Sequence, residues 1–209
     1  MSGGALREPW HSLRRQREAA SFGMWLFLAS EALLFGGLIL AFLATRWFHP
    51  AAFAAAGREA DIVYGTANTL LLLTSSLTVA VGAQAARAGL PRLAVRALGL
   101  TLALGLAFLC LKGLEWRADL AKGLWPGPGF ALEQPAARIA FAFYWLLTGL
   151  HGLHLLGGLS AIAWLAGQAV LGRRPWRSPA FEGAALYWHL IDVVWVFLYP
   201  LLYLDGRAA

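Results

Sequence analysis

Glu31 occupies the position in this sequence that most directly suggests proton chemistry. It lies eight residues into a long apolar stretch that begins at Gly23, about 12 Å along a helix. Its neighbours at helical spacing, such as Phe27 and Phe35, are apolar. An ionisable side chain at that depth is costly unless it is protonated, paired or in contact with water. Glu31 is therefore predicted to have a functional or lipid-contacting role, with a purely structural role as the alternative.

Histidines in two other apolar stretches could bind a metal or a haem. His151 and His154 are three residues apart in one stretch, and His189 in another could be a third metal ligand. However, no carboxylate accompanies them, and polar side chains in membrane helices commonly hydrogen-bond to another helix. A cytochrome with two b-type haems would need four axial histidines, whereas His11 and His49 lie outside the apolar stretches. Neither kind of site is favoured.

Asp192 lies in the last apolar stretch, on a face that it shares with aromatic side chains. Trp188, Trp195 and Tyr199 recur with it at helical spacing, and we expect this face to pack inside a helix bundle or against a partner. Asp192 is expected either to handle protons or to accept a hydrogen bond from an indole N–H or from His189. The sequence leaves both roles open.

Other polar residues in the apolar stretches are predicted to be structural. Asn68 is followed by several hydroxyl side chains, which can bond to their own helix backbone and indicate interhelical contacts rather than a channel. Lys112 and Glu115 are three residues apart and are predicted to form an ion pair. Gly99 and Ala103 are four residues apart, a spacing that allows two membrane helices to approach closely.

The elements that position these side chains are five predicted transmembrane helices. The chain has 209 residues, of which 59% are hydrophobic and 13% charged. A bilayer core needs about 20 apolar residues in a helix. Stretches of that length, separated by Pro, Gly and charged residues, cover residues 23–45, 63–86, 93–115, 139–168 and 184–204. The sequence thus predicts an all-α, polytopic membrane bundle over residues 23–204, with an N-terminal tail (1–22) and a short C-terminal tail (205–209).

The distribution of basic residues predicts the orientation of this bundle. Ten lie on the side of the N-terminal tail: Arg7, Arg14, Arg15, Arg17, Arg87, Arg92, Arg96, Arg173, Arg174 and Arg177. Seven are assigned to the other side: Arg46, Arg58, Lys112, Arg117, Lys122, Arg138 and Arg207. Basic residues favour the cytoplasmic side. We therefore expect a bacterial cell-membrane protein with its N-terminus in the cytoplasm and its C-terminus outside.

Several classes of function have no support in the sequence. The single cysteine, Cys110, excludes a disulfide framework or a thiolate metal cluster within this chain. Its basic residues flank the apolar stretches, so membrane topology explains them better than nucleic-acid binding does. The sequence contains no Walker loop and no HExxH motif. We expect no catalytic residues, no bound metal and no nucleic-acid partner.

Five segments resemble, in sequence and in order, subunit III of the haem–copper respiratory oxidases. They are GMWLFLASE (23–31), NTLLLLTSS (68–76), LKGLEW (111–116), LTGLHGLHLLG (147–157) and YWHLIDVVWVFL (187–198). The resemblance extends from about Gly23 to Leu204, with Lys112 at a position where the family usually has Gln. It corresponds to the family's five-helix form, which lacks the first two of seven helices. In the longer form those two helices are one wall of a phospholipid-containing cleft.

The resemblance implies a non-catalytic subunit of a proton-pumping terminal oxidase. Such a subunit packs on subunit I, associates with subunit II and the other oxidase subunits, holds phospholipid and supports proton uptake, while the haem and copper lie in partner subunits. Glu31 matches the family's carbodiimide-reactive membrane glutamate. The structural or lipid-contact positions are matched by Asn68, Glu115, His151, His154, Trp188, His189, Asp192 and Trp195.

Other functions stay open at this stage. Within the family, a cytochrome c oxidase is favoured, and the alternatives are a quinol oxidase or a related protein that accompanies nitric oxide reductase. Outside the family, the chain could be a proton-coupled transporter that uses Glu31 and Asp192, but the internal repeats and broken helices typical of many transporters are not evident. A membrane b-type cytochrome is disfavoured by the histidine positions.

Overall fold

Six α-helices make up the part of the chain that the structure describes. This computed structural model describes residues 12–207, a region without β-strands. The helices are α1 (Leu13–Phe48), α2 (Pro50–Glu59), α3 (Ile62–Ala88), α4 (Pro91–Ala121), α5 (Pro135–Val170) and α6 (Ala180–Tyr203). All except α2 are long and apolar enough to cross a membrane. The predicted all-α bundle with five spans is confirmed.

Local capping interactions define several of the helix ends. The Ser12 side chain accepts a hydrogen bond from a backbone N–H in the first turn of α1. As a result α1 includes residues 13–22, which are predicted from the sequence to be part of the N-terminal tail. Asp61 caps α3 in the same way, and Gly89 ends that helix with a φ of 73°, which favours glycine.

The short helix α2 is an element that the hydropathy pattern does not predict. Pro50 occupies its first turn, where the missing N–H costs nothing. Its Ala52, Phe53 and Ala56 side chains are buried, and α2 packs on α5 and α6. The ring of Phe53 lies 5.0 Å from that of Phe42 on α1. At ten residues α2 is too short to cross a bilayer, so it covers one end of the bundle.

Glycine allows close helix contacts at positions other than the predicted one. A Cβ atom on Gly105 of α4 would lie 2.8 Å from the Trp188 ring of α6, and one on Gly65 of α3 would lie 2.7 Å from Tyr203. By contrast, no atom lies within 4 Å of a Cβ atom built on Gly99, and Ala103 is exposed. The close approach predicted at Gly99 and Ala103 is therefore wrong within the described bundle.

Helix α1 lies at the edge of the bundle. Only 17% of its most apolar 18-residue window is buried, compared with 44% for α5 and for α6. It packs on α5, α6 and α2, while large side chains such as Trp25, Leu33 and Trp47 are exposed. Most of the surface of α1 is thus available to lipid or to another protein chain.

Candidate functional site

Glu31 of α1 is paired with His154 of α5 at membrane depth. The carboxyl Oε2 lies 2.8 Å from the imidazole Nε2, and the two side chains are 16% and 17% exposed. The ring of Phe35 packs against the imidazole at 5.0 Å, and the Tyr187 hydroxyl donates to the backbone carbonyl of His154. The pair therefore joins α1 to the rest of the bundle, and both side chains remain partly exposed at the bundle surface.

Hydrogen bonding fixes how protons can be arranged in this pair. The Nδ1 atom of His154 lies 2.8 Å from the Leu150 carbonyl oxygen, which can only accept, so Nδ1 carries a hydrogen. One further proton is then needed between Nε2 and the Glu31 carboxyl group. It resides either on the carboxyl group, leaving both side chains neutral, or on the imidazole, giving an ion pair. The Glu31 and His154 side chains together carry no net charge in either form.

Polar contacts between α3 and α6 account for most of the hydroxyl side chains of the second span. The Trp188 indole donates to Ser75 and the Trp195 indole donates to Thr69, each at 3.0 Å. The Nδ1 atom of His189 lies 2.8 Å from the Ser76 hydroxyl oxygen. The predicted interhelical role of these hydroxyl groups is confirmed.

Asp192 does not have the hydrogen-bond partners that the sequence predicts. Both indoles and His189 are bonded to hydroxyl groups of α3, so the predicted bond from any of them to Asp192 is wrong. Asp192 is 5% exposed, and neither of its carboxyl oxygens has a hydrogen-bond partner among the described residues. The amide of Asn68, which is fully buried, is likewise unpaired there. These two side chains lie inside the bundle rather than on its lipid-facing surface.

His151 and His154 lie on one helix but bond to different partners. The Nε2–H of His151 donates to the Ile191 carbonyl at 3.2 Å, and its Nδ1 has no hydrogen-bond partner in the described chain. The ring of His151 packs against Phe108 and Trp195. Within residues 12–207, no group of three His, Cys, Asp or Glu side chains is placed to hold a metal ion.

A cluster of buried charges and tyrosines joins α4, α5 and α6; we call it the Lys112 cluster. It consists of Lys112, Glu115 and Asp119 on α4, Tyr144 on α5 and Tyr203 on α6. The predicted ion pair is confirmed, with the Lys112 ammonium 3.0 Å from Glu115 Oε2. The other three members, Asp119, Tyr144 and Tyr203, are not predicted from the sequence. Only Asp119 could have been found, since it follows Glu115 by one helical turn on the same face.

Because Lys112 is buried, it no longer counts among the basic residues that indicate the orientation of the bundle in the membrane. The side chain is 2% exposed and surrounded by aromatic rings, with the Tyr144 ring centroid at 4.6 Å. It belongs to the bundle interior and not to a loop. Without Lys112, six basic residues remain on the side opposite the N-terminal tail, against ten on the N-terminal side.

The segment after α6 is anchored on α1 and α2. Asp205 accepts two hydrogen bonds from the Arg46 guanidinium, each at 2.7 Å. Arg207 donates to backbone carbonyls at the end of α2, including that of Arg58 at 2.8 Å. Carbonyl groups at a helix end lack intrahelical partners, so Arg207 caps α2. Residues 205–207 thus hold α2 against this end of the bundle.

Comparison with known proteins gives a consistent set of relatives. A family model described as cytochrome c oxidase subunit III matches residues 11–207. A Bacillus subtilis (strain 168) protein named cytochrome c oxidase subunit 3 is 36% identical over 187 residues, which cover 89% of this chain and 86% of the relative. A protein of the same name from Alkalihalophilus pseudofirmus is 35% identical over 202 residues, covering 95% and 93%. A Pseudomonas aeruginosa protein named cytochrome bo(3) ubiquinol oxidase subunit 3 is 29% identical over 188 residues, covering 88% and 84%.

Proposed function

This chain belongs to the cytochrome c oxidase subunit III family, and we propose that it is a non-catalytic subunit that stabilises subunit I, holds phospholipid and supports proton uptake. As subunit III of a haem–copper oxidase, it is a multi-pass membrane protein and part of an oxidase complex. The haem and copper of the reaction lie, in this proposal, in partner subunits, and this chain carries no catalytic residue.

The observation that carries the proposal is the pair of Glu31 and His154. The Glu31 carboxyl oxygen and the His154 imidazole nitrogen lie 2.8 Å apart at membrane depth, within hydrogen-bonding distance. Polar groups at that depth commonly mark a proton pathway or a functional contact. The pair is also partly exposed, so a group outside the bundle can contact it. Glu31 is thus the group in this chain best placed to support proton uptake.

Cytochrome c is the favoured electron donor of the complex. Relatives that are 35–36% identical are named cytochrome c oxidase subunit 3. The second candidate is a quinol oxidase, because the relative from Pseudomonas aeruginosa is named a ubiquinol oxidase subunit. The two differ in the donor that the purified complex oxidises, which a steady-state oxygen-uptake assay with each donor measures directly.

We place the protein in the bacterial cell membrane with its N-terminus in the cytoplasm. The ten-to-six bias of basic residues supports this orientation. The exposed apolar surface of α1 supports contact with lipid or with another subunit. In the proposal, direct contact is with subunit I, and subunit II and the remaining oxidase subunits complete the assembly. If lipid occupies a cleft beside α1, another chain or the bilayer itself supplies its second wall.

Carbodiimide labelling of the purified oxidase complex tests the role of Glu31. Carbodiimides modify protonated carboxyl groups that they can reach from an apolar phase. We expect the wild-type subunit to be labelled, Glu31→Gln to lose the label and Asp192→Asn to keep it. Asp192 is the matched control, because it is a second membrane-depth carboxyl group but its oxygens are inaccessible. Full labelling of Glu31→Gln would contradict the assignment.

A kinetic assay separates support of proton uptake from a purely structural role. Glu31→Gln keeps a hydrogen-bonding group beside His154, so assembly should be intact while proton uptake during turnover is slowed. Unchanged proton uptake in the fully assembled Glu31→Gln complex would show that the pair only holds α1 in place.

A further inference from the structure

The Lys112 cluster contains two carboxyl groups and one ammonium group in the protein interior. Lys112, Glu115 and Asp119 are 2%, 1% and 2% exposed. They recur on α4 at spacings of three and four residues and face Tyr144 of α5 and Tyr203 of α6. Isolated charge is too costly at such burial unless it is paired or neutralised. If both acids were ionised, the cluster would carry one uncompensated negative charge.

The contacts within the cluster require more hydrogens than its ordinary ionised form supplies. Six pairs of polar atoms lie within hydrogen-bonding distance. Lys112 contacts Glu115, Tyr144 and Tyr203; Glu115 contacts both tyrosines; and Asp119 contacts Tyr144. An ammonium group provides three hydrogens and each tyrosine one, while an ionised carboxylate provides none. Five hydrogens are therefore available for six contacts.

The contact that lacks a hydrogen is one of the two that the Tyr144 hydroxyl makes with carboxyl groups. The Tyr144 hydroxyl oxygen lies 2.8 Å from Glu115 Oε1 and 2.7 Å from Asp119 Oδ2. The single hydroxyl hydrogen can be directed to only one of these two oxygens. Two acceptor oxygens at that separation without a hydrogen between them would repel each other. One of the carboxyl groups must then donate to the hydroxyl oxygen.

We propose that Asp119 is a buried proton-binding site and donates that proton to Tyr144. The Tyr144 hydroxyl then donates to Glu115, and all six contacts have one hydrogen each. The cluster becomes electrically neutral, with one ammonium, one carboxylate and one carboxylic acid. It is separate from the pair of Glu31 and His154 and does not depend on which donor the oxidase uses.

Asp119 is the better site for the proton than Glu115 because of where the cation lies. The Lys112 ammonium bonds directly to Glu115, which also accepts from Tyr144 and Tyr203. A carboxylate with three donors, one of them charged, is stabilised in its ionised form. Among the described residues, Tyr144 is the single hydrogen-bond partner of the Asp119 carboxyl group.

A nearby basic residue does not remove the need for the proton. Lys122 follows Asp119 by three residues, and its ammonium group donates to the backbone carbonyl of Glu59. It makes no hydrogen bond to Asp119. The groups that face Asp119 are thus those of the Lys112 cluster together with the charge of Lys122, which supplies no hydrogen to the contact between Asp119 and Tyr144.

A proton bound at Asp119 makes the stability of the Lys112 cluster depend on pH. Asp119 is protonated in the folded protein and ionises once opening of the cluster exposes it to water. Opening therefore releases one proton, and its equilibrium constant should rise about tenfold per pH unit over the range in which exposed aspartate is ionised and the folded site still holds its proton. Higher pH destabilises the cluster, and lower pH within that range stabilises it.

Infrared spectroscopy of the purified oxidase complex tests the proposal. The spectrum of Asp119→Asn is subtracted from that of the wild-type complex at neutral pH. We expect the difference to contain the carbonyl stretch of a protonated carboxylic acid, shifted in deuterium oxide. Loss of carboxylate bands instead would overturn the proposal, because it would place the proton on Glu115 or on neither acid.

Stability measurements on the same two complexes provide a second readout. The amide of Asn can donate to Tyr144 as the protonated acid does, so Asp119→Asn should assemble and unfold at nearly the wild-type temperature. It should also lose the pH dependence expected of the wild type. Failure of Asp119→Asn to assemble, or an unchanged pH dependence, would count against a proton at Asp119.

Discussion

Replacing Lys112 by methionine should strongly destabilise the folded subunit. Methionine keeps a long, flexible apolar side chain, so the change removes the charge and the hydrogen-bond donors more than the packing. It leaves Glu115, which is 1% exposed, without its cation. Removing one partner of a buried ion pair costs about 3–5 kcal/mol. That corresponds to about two to four orders of magnitude in the unfolding equilibrium, since about 1.4 kcal/mol is tenfold.

Thermal or denaturant unfolding of the purified complex in detergent measures this effect. The matched control is Arg14→Met, which breaks an ion pair between Arg14 and Glu18 at the surface. Arg14 and its partner Glu18 are 88% and 60% exposed, and exposed pairs at this helical spacing contribute about 0.3–0.5 kcal/mol. We therefore expect a large loss of stability for Lys112→Met and almost none for Arg14→Met.

The double variant Lys112→Met with Glu115→Gln separates buried charge from lost contacts. It removes the carboxylate that Lys112→Met leaves unpaired, so it should recover part of the stability. The reasoning is refuted if Lys112→Met costs no more than the Arg14 control. It is also refuted if the double variant is no more stable than Lys112→Met alone.

Three further changes have expected effects of different size. Asp205→Asn should lower the unfolding free energy by about 1.5–3 kcal/mol, because Asp205 is 9% exposed and accepts two charge-assisted hydrogen bonds from Arg46. Asp192→Leu should change the unfolding free energy by less than about 1 kcal/mol, since the carboxyl group has no hydrogen-bond partner in the described chain to lose; a loss several times larger would contradict this reasoning. Gly206→Ala should cost about 1 kcal/mol or more, because its φ is 70° and a Cβ atom would collide with Ala54; the same unfolding assay measures it.

The five spans could be predicted from sequence because each is longer than the bilayer requires. Hydropathy alone could not reveal α2, because its ten residues are fewer than a bilayer span requires, although its five alanines favour a helix. The sequence also counts Lys112 among the basic residues of the outer side, since a lysine near the end of a span usually reaches the interface. The acidic partners of Lys112 lie on α4 itself, but its tyrosine partners Tyr144 and Tyr203 come from α5 and α6, which the sequence cannot bring together.

The candidate sites were predicted in part. Glu31 and His154 were each identified from their depth, but their contact joins residues 123 positions apart. The sequence offers no local pattern that pairs them. Asp192 was predicted either to handle protons or to accept a hydrogen bond from an indole N–H or from His189. The indoles of Trp188 and Trp195 donate instead to Ser75 and Thr69, hydroxyl side chains of the neighbouring helix α3.

Affinity purification of this chain in mild detergent tests most directly that it acts as an oxidase subunit. The purified material is examined by optical spectroscopy, and the co-purifying chains are identified. We predict haem bands of the a or o type together with oxidase subunits I and II, and the haem bands should be absent from any fraction that lacks subunit I. A colourless preparation that contains this chain alone, from membranes with an intact and active oxidase, would contradict the account.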